Sequence, residues 1–212
     1  YIEERQYSDI YSTVQILIAM TPYETKYMAN TTPGHFNKDF AFNWKRKEDK
    51  KKVRDWKEFA DLFLSIPAAH RMSTTYMILD GTRNRECLKV MRPYQVYATE
   101  AVLDKIKNIR IDNMGIEKLG FVWHTTGAGK TITSFKTAWL ASRMSVVDKV
   151  VFIVDRTQLT RHTFETYRAY DPEFRLDDDI GKITDTRNTW ELTSKLKSKK
   201  NDIIITSTQK LN

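Results

Sequence analysis

Cysteine is all but missing from this chain: Cys87 is the only one in 212 residues. That excludes an intrachain disulfide and fits a reducing compartment. One thiol and four scattered histidines cannot supply a zinc site of ordinary ligand spacing. No apolar run approaches the length of a membrane span, and the first residues lack a signal-peptide pattern. No membrane association is therefore expected. Acidic residues are outnumbered: 27 Asp and Glu against 35 Lys and Arg leave a net charge of +8 and a pI near 9.4. Such a surplus suggests an anionic partner, nucleic acid before membrane. What is present in quantity is core material, since 41% of residues are hydrophobic and 12% aromatic. The chain is not a disordered one, and its length fits one large domain or two small ones. It opens on Tyr1 rather than Met and is expected to be a piece of something longer.

Glycine is scarce, yet two of the seven fall within three residues, in Phe121-Val-Trp-His-Thr-Thr-Gly-Ala-Gly-Lys-Thr131. The apolar run Phe121 to Trp123 reads as a buried strand. Behind Lys130-Thr131, Ile132, Phe135, Trp139 and Leu140 recur at helical spacing. Strand, glycine loop, Lys-Thr and helix together are the context of a phosphate loop. Gly127 and Gly129 let backbone N–H groups approach phosphate oxygens without Cβ obstruction. The helix behind them aims its unpaired N–H groups and positive dipole end at the same anion. Lys130 is expected on the β- and γ-phosphates of ATP, and the Thr131 hydroxyl on Mg²⁺. The long pattern G-x4-G-K-[ST] asks for glycine where this chain has His124. The core Thr126-Gly-Ala-Gly-Lys-Thr131 is intact and resembles the form used by superfamily-2 nucleic-acid motors.

From Tyr1 to Trp44 the pattern is strand-like, with Val14, Ile16 and Ile18 alternating and then Phe40, Phe42 and Trp44. Asp9 with Glu24-Thr25-Lys26 imitates the paired-carboxylate and lysine arrangement of Mg²⁺ nucleases. Its position beside a turn favours a solvated strand face. Lys45 to Lys52 is a charge run that reads as a wet linker or helix start, with contact to DNA backbone as the sharper alternative. Trp56, Phe59, Ala60, Phe63 and Ile66 line one helical face ended by Pro67. A second helix is expected over Ala68 to Leu79, turning out at Asp80-Gly81.

Arg92-Pro-Tyr-Gln95 opens the next unit, with Pro93 suited to a first helical turn and Tyr94, Tyr97, Ala98, Ala101, Val102 and Ile106 following at helical spacing. The Gln95 amide could read an adenine edge as donor and acceptor at once. Lys149 to Val154 reads as a buried parallel strand ending in Asp155-Arg156. Asp171 to Arg187, with Asp177-Asp-Asp179, reads as a polar loop and not a metal site. Asn188 and Glu191 form a capping box for a short helix. Asp202 to Thr206 is a further buried strand, followed by Ser207-Thr208-Gln209. Alternation of strand and helix from Phe121 onward predicts an α/β parallel sheet. Ligands collect at the carboxyl ends of such strands, where the phosphate loop, Asp155-Arg156 and Ser207-Thr208-Gln209 all fall.

Met91 to Glu100, Trp123 to Thr131, Val151 to Arg156 and Ile203 to Leu211 together resemble the motor subunit of type I restriction–modification enzymes. Trp123-His124 matches that family where the first glycine is missing. The resemblance implies a RecA-like P-loop parallel sheet flanked by helices over residues 87–212, preceded over residues 1–86 by the rear of an α+β nuclease-type domain. It implies ATP and Mg²⁺, with Arg92, Gln95, Thr126, Gly127, Ala128, Gly129, Lys130 and Thr131 at the nucleotide, and Asp155, Arg156, Ser207, Thr208 and Gln209 at DNA backbone. It also implies double-stranded DNA, methyltransferase and specificity subunits as partners, in a bacterial or archaeal cytoplasm. The nuclease carboxylates would lie before Tyr1, which makes Glu24-x-Lys26 a decoy. No Asp-Glu pair follows a strand in this chain, so turnover of ATP by it alone is not expected. The alternatives are another superfamily-2 translocase or an RNA helicase, and a DNA-binding scaffold with a vestigial loop. RNA enzymes favour Pro-Thr-Arg-Glu where this chain has Asp155-Arg-Thr-Gln158. A small-molecule kinase explains neither flanking motif and ranks last.

Overall fold

The computed structural model describes residues 13–31, 36–108, 120–155, 157–174, 181–200 and 202–211. The chain folds as two compact units, Tyr1–Tyr97 and Ala98–Asn212.

The first unit begins with an antiparallel hairpin of β1 (Ile16–Thr21) and β2 (Glu24–Ala29). Thr21 Oγ1 accepts the Glu24 N–H at 3.0 Å and so closes the turn. Thr25 and Tyr27 are the inward pair of β2: Thr25 Oγ1 donates to the Val53 carbonyl at 2.9 Å, and Tyr27 OH to the Met91 carbonyl at 2.9 Å. The Tyr27 ring meets those of Phe42, Trp44 and Phe63, which makes it the centre of an aromatic core. The strand expected over Phe40 to Trp44 does not form. Asn37 caps a 3₁₀ turn at Lys38–Phe40 instead, and only Phe42 bridges to Tyr27.

Asp55 accepts the N–H groups of Lys57 and Glu58 and starts α1 (Trp56–Phe59), which widens into a π-helical turn at Ala60–Leu64. Phe59 and Phe63 stack at 4.8 Å in the core. The expected apolar face is narrower than its spacing suggests, because Trp56 is exposed and Ile66 is 88% exposed. The second helix is also shorter than expected. α2 covers Ala68–Thr74, and Met77–Asp80 is strand β3, paired antiparallel with β4 (Cys87–Val90). The helical spacing of this stretch is outweighed by pairing that buries Met77 and Ile78.

Helix α3 (Pro93–Asn108) runs across the division, and the second unit continues with α4 (Lys130–Ala141), β5 (Val150–Val154), α5 (Thr157–Tyr170), β6 (Ile183–Asp185), α6 (Thr189–Lys197) and β7 (Ile203–Ser207). These strands form a parallel sheet in the order β5-β7-β6, so the chain is a mixed α/β protein. β7 lies between two neighbours, and Ile203, Ile204 and Ile205 are fully buried, as an unbroken apolar run in a central strand requires. β5 is an edge strand of the described sheet and leaves Ile153 exposed.

Two expectations fail here. Phe121 to Trp123 forms no strand; Phe121 is 90% and Trp123 83% exposed, since no ladder among the described residues reaches them. The polar stretch from Asp171 to Arg187 contains β6, and Asp171 is buried. Asp171 Oδ1 accepts the Glu173 N–H at 2.8 Å and Oδ2 accepts the Lys182 N–H at 2.9 Å, which ties the end of α5 to the start of β6. Burial raises its carboxyl above the usual range despite those donors. Asp177-Asp-Asp179 lies outside the described residues.

The cap of α6 follows expectation: Asn188 Oδ1 accepts the Glu191 N–H at 2.8 Å, and Glu191 reaches back to the Arg187 N–H at 2.8 Å. Asn188→Ala is expected to lower stability by about 1 kcal/mol, read as a shifted urea midpoint with an unchanged slope. Among the described residues no helix is long and apolar enough to cross a membrane.

Candidate nucleotide-binding site

Residues 121–129 form an irregular, mostly exposed segment that turns sharply just before α4. The Ala128 N–H bonds to the Thr125 carbonyl at 3.3 Å. Gly127 (φ 76°) and Gly129 (φ 77°, ψ 41°) are both left-handed. A Cβ added at Gly127 would meet nothing within 4 Å, so conformation and not crowding demands glycine there. Gly129 is the N-cap of α4 and offers no side chain to the helix. The Thr133 N–H closes the first turn onto the Gly129 carbonyl at 3.2 Å. The N–H groups ahead of it form the positive end of a twelve-residue helix. Lys130 and Thr131 stand exposed in that first turn.

The rear of α4 is as buried as its front is open. The Phe135 ring lies 5.3 Å from the rings of both Tyr167 and Tyr170 of α5, and Tyr167 OH donates to Ser134 Oγ at 2.7 Å. An anion at the front would therefore meet a helix that is anchored. A cavity of about 610 Å³ runs along α4, reached by Val122 and His124 from the loop, by Lys130 from the first turn of α4 and by Val150 to Phe152 from β5. The loop is mostly exposed, and the cavity beside it is lined mainly by apolar side chains, Val102, Ile106, Ala138, Ala141 and Val147 among them.

Lys136, on the same helix, is a residue that pattern reading missed. It is 7% exposed, and burial, with Arg143 adding repulsion, pushes its ammonium down to about 8. A lysine between Phe135 and Trp139 reads in sequence as a solvent-facing position, and only packing reveals otherwise.

Gln95 is buried in the first unit, and its Oε1 accepts the Arg92 N–H at 2.8 Å. The carbonyl side of this amide thus closes the start of α3, as the third residue of a capping box does. The Arg92 guanidinium lies 4.3 Å from the Phe42 ring centre and donates to Tyr94 OH at 3.3 Å.

At the carboxyl edge of the parallel sheet, Val154 and Ser207 are paired in register, which brings the residues after β5 and β7 together. Asp155 is exposed, and its carbonyl accepts the Thr208 hydroxyl at 3.2 Å. Thr208 and Gln209 are exposed in a 3₁₀ turn, Thr208–Lys210. Ser207 differs: its side chain is fully buried, and its Oγ has no partner among the described residues. A surface contact by that hydroxyl does not follow from this arrangement. Arg156 and Asp9 lie outside the described residues. Glu24 and Lys26 form an exposed ion pair of 3.4 Å, and no cluster of three or more metal-binding side chains occurs among the described residues.

Residues 88–212 match a family model described as the res subunit of type III restriction enzymes. A type I restriction enzyme endonuclease subunit of Staphylococcus saprophyticus is 33% identical over 208 residues, which are 98% of this chain and 20% of that protein. The C-terminal part of a putative type I restriction enzyme endonuclease subunit from Mycoplasma pneumoniae is 38% identical over 142 residues, 66% of this chain and 64% of that protein. A type I restriction enzyme endonuclease subunit of Escherichia coli is 33% identical over 102 residues, 48% of this chain and 31% of that protein. The chain spans about a fifth of the length of the staphylococcal relatives it matches.

Proposed function

Because the chain belongs to the restriction-enzyme res-subunit family and is kin to type I restriction enzyme endonuclease subunits, we propose that residues 126–131 bind the triphosphate of ATP. The observation that carries this is the pair of left-handed glycines on an exposed turn, directly ahead of the anchored helix that bears Lys130 and Thr131. Main-chain N–H groups of Thr126, Gly127 and Gly129 would face the phosphates, with that of Ala128 joining them only on leaving the Thr125 carbonyl, and Lys130 would supply the counter-charge. Thr131 would hold Mg²⁺, whose chemistry is to neutralise charge on the phosphate oxygens. Arg92 and Gln95 are the proposed adenine-side residues.

In the whole protein, residues 87–212 would be most of a first RecA-like motor domain and residues 1–86 the rear of a nuclease domain. That protein would couple ATP hydrolysis to movement along double-stranded DNA and then cleave it, together with methyltransferase and specificity subunits in a bacterial or archaeal cytoplasm. Asp155, Arg156, Thr208 and Gln209 would follow the DNA backbone, with buried Ser207 supporting that edge from within.

This chain holds no Asp-Glu pair, so it is expected to bind nucleotide without turning it over. Calorimetric titration with a non-hydrolysable ATP analogue and Mg²⁺ should give a saturable signal, and phosphate release should stay at background. DNA binding with no response to the analogue would instead support the scaffold reading. Steady hydrolysis would overturn the account of turnover.

A further inference from the structure

The run Lys45 to Lys52 is not a linker. Its ends pair as an antiparallel bridge, Lys45 with Lys52, and the Arg46 N–H bonds to the Lys51 carbonyl at 3.0 Å. Below the bridge, the Val53 N–H bonds to the Trp44 carbonyl at 2.9 Å, and both side chains are in the core. Tyr97 OH donates to the Lys45 carbonyl at 2.6 Å. At the tip, Asp49 Oδ1 accepts the Lys51 N–H at 3.0 Å, and Lys50 is left-handed (φ 60°). The stretch is a small hairpin fastened to the first unit at both ends.

Its charges are arranged unevenly. Arg46 engages Glu58 through Nε and Nη2 and Asp49 through Nη1, so it occupies two of the nearby carboxylates. Glu48 is the one acid of the run outside these pairs, exposed beside the lysines. Lys51 shares Asp49 at 3.8 Å. Lys45, Lys47, Lys50, Lys52 and Arg54 remain exposed, with no carboxylate in ion-pair range among the described residues. Like charges directly opposite on paired strands repel, and a left-handed lysine is strained. A row of anions laid across Lys45 and Lys52 would relieve the first of these.

We infer that this hairpin is a docking surface for the phosphodiester backbone of double-stranded DNA, an inference that rests on the reading of the whole protein as one that acts on DNA. The side chains favour that occupant over two others. The loop itself offers no apolar or aromatic anchor of the kind that gives a protein interface its binding energy. Nor does it carry an apolar residue to insert below lipid headgroups. It has no Asn or Gln to read adenine, and Arg46, the residue of the run best shaped to read guanine, is held by Glu58 and Asp49. Contact to the backbone is therefore favoured over contact to bases.

The test is fluorescence anisotropy of a labelled duplex with the full chain across a salt series. It is repeated with the triple variant Lys45→Gln, Lys47→Gln, Lys52→Gln and with its Lys→Arg counterpart. Three lost phosphate contacts should make log Kd against log salt shallower by about two to three, and affinity at 0.1 M salt at least roughly tenfold weaker. Affinity for the ATP analogue should not change, and the arginine version should keep DNA affinity. An unchanged slope in the glutamine variant overturns the hairpin's role while leaving the DNA-acting reading in place. Loss in the arginine version as well, with an unchanged melting temperature, overturns it too, because charge alone should suffice. Tighter binding to phosphatidylserine vesicles than to duplex also overturns it. No DNA affinity in the unaltered chain at low salt overturns both readings.

Discussion

Lys130→Ala is expected to weaken binding of the ATP analogue by roughly 30- to 150-fold, the equivalent of about 2–3 kcal/mol for a lost charge-assisted contact to phosphate. The melting temperature should hardly move. Lys130 is exposed at the first position of α4, and the residues that anchor this helix, Phe135, Ala138 and Trp139, lie beyond it. Alanine is also a good helix former, so the turn that carries the N–H groups should persist. The loss should be confined to nucleotide: affinity for duplex should stay within about twofold, because one exposed charge among many contributes little to backbone binding. Thr131→Ala should act differently, weakening the complex mainly in the presence of Mg²⁺. Equal analogue affinity for the unaltered chain and Lys130→Ala would remove the phosphate loop from the proposal, whatever its shape.

The parts of this site that are legible in the sequence are those whose physics is local. Left-handed backbone at Gly127 and Gly129 is a property of single residues, and the helix start at Lys130 follows from the apolar spacing behind it. The burial of β7 is equally readable, because three isoleucines in succession need cover on both faces of a sheet; its place between β5 and β6 is not. What cannot be read depends on contacts distant in sequence. The run Phe121 to Trp123 has the composition of a buried strand, but burial needs a partner, and the described sheet does not extend to it. β6 has three residues and a single buried isoleucine, too short for any period to show. The buried state of Ser207 comes from the strands beside it, whereas the neighbouring Thr208 reaches the Asp155 carbonyl from the surface. Lys45 to Lys52 has the composition of a solvated run, and only its bridge and the Tyr97 hydroxyl that fastens it make it a hairpin.

The second large effect concerns Lys136 and the pH dependence of stability. Its ordinary ammonium titrates near 10.5, and burial holds it near 8 in the folded chain. Between those values the unfolded chain keeps the proton and the folded chain has released it. Unfolding then takes up a proton, so this group's contribution to stability rises as pH rises from about 8 to about 10.5. Below about 8 the folded protein carries a buried charge, and the full penalty, about 3 kcal/mol, applies. Lys136→Met keeps the length of the side chain and removes the charge. It should therefore raise stability at pH 7 by up to about 3 kcal/mol and flatten the rise above pH 8 relative to the unaltered chain. Arg143→Gln removes the lesser cause of the shift, but it also removes the 2.6 Å ion pair with Glu173 and the contact with the Trp139 ring, so it should flatten the pH dependence slightly without the gain at pH 7. Urea unfolding at pH 7 and pH 10 decides the matter, with the difference between variants cancelling every other titrating group. If Lys136→Met is no more stable than the unaltered chain at pH 7, and the two curves run parallel up to pH 10, the ammonium is not held at a penalty, and α4 does not carry a strained charge behind its N-terminal turn.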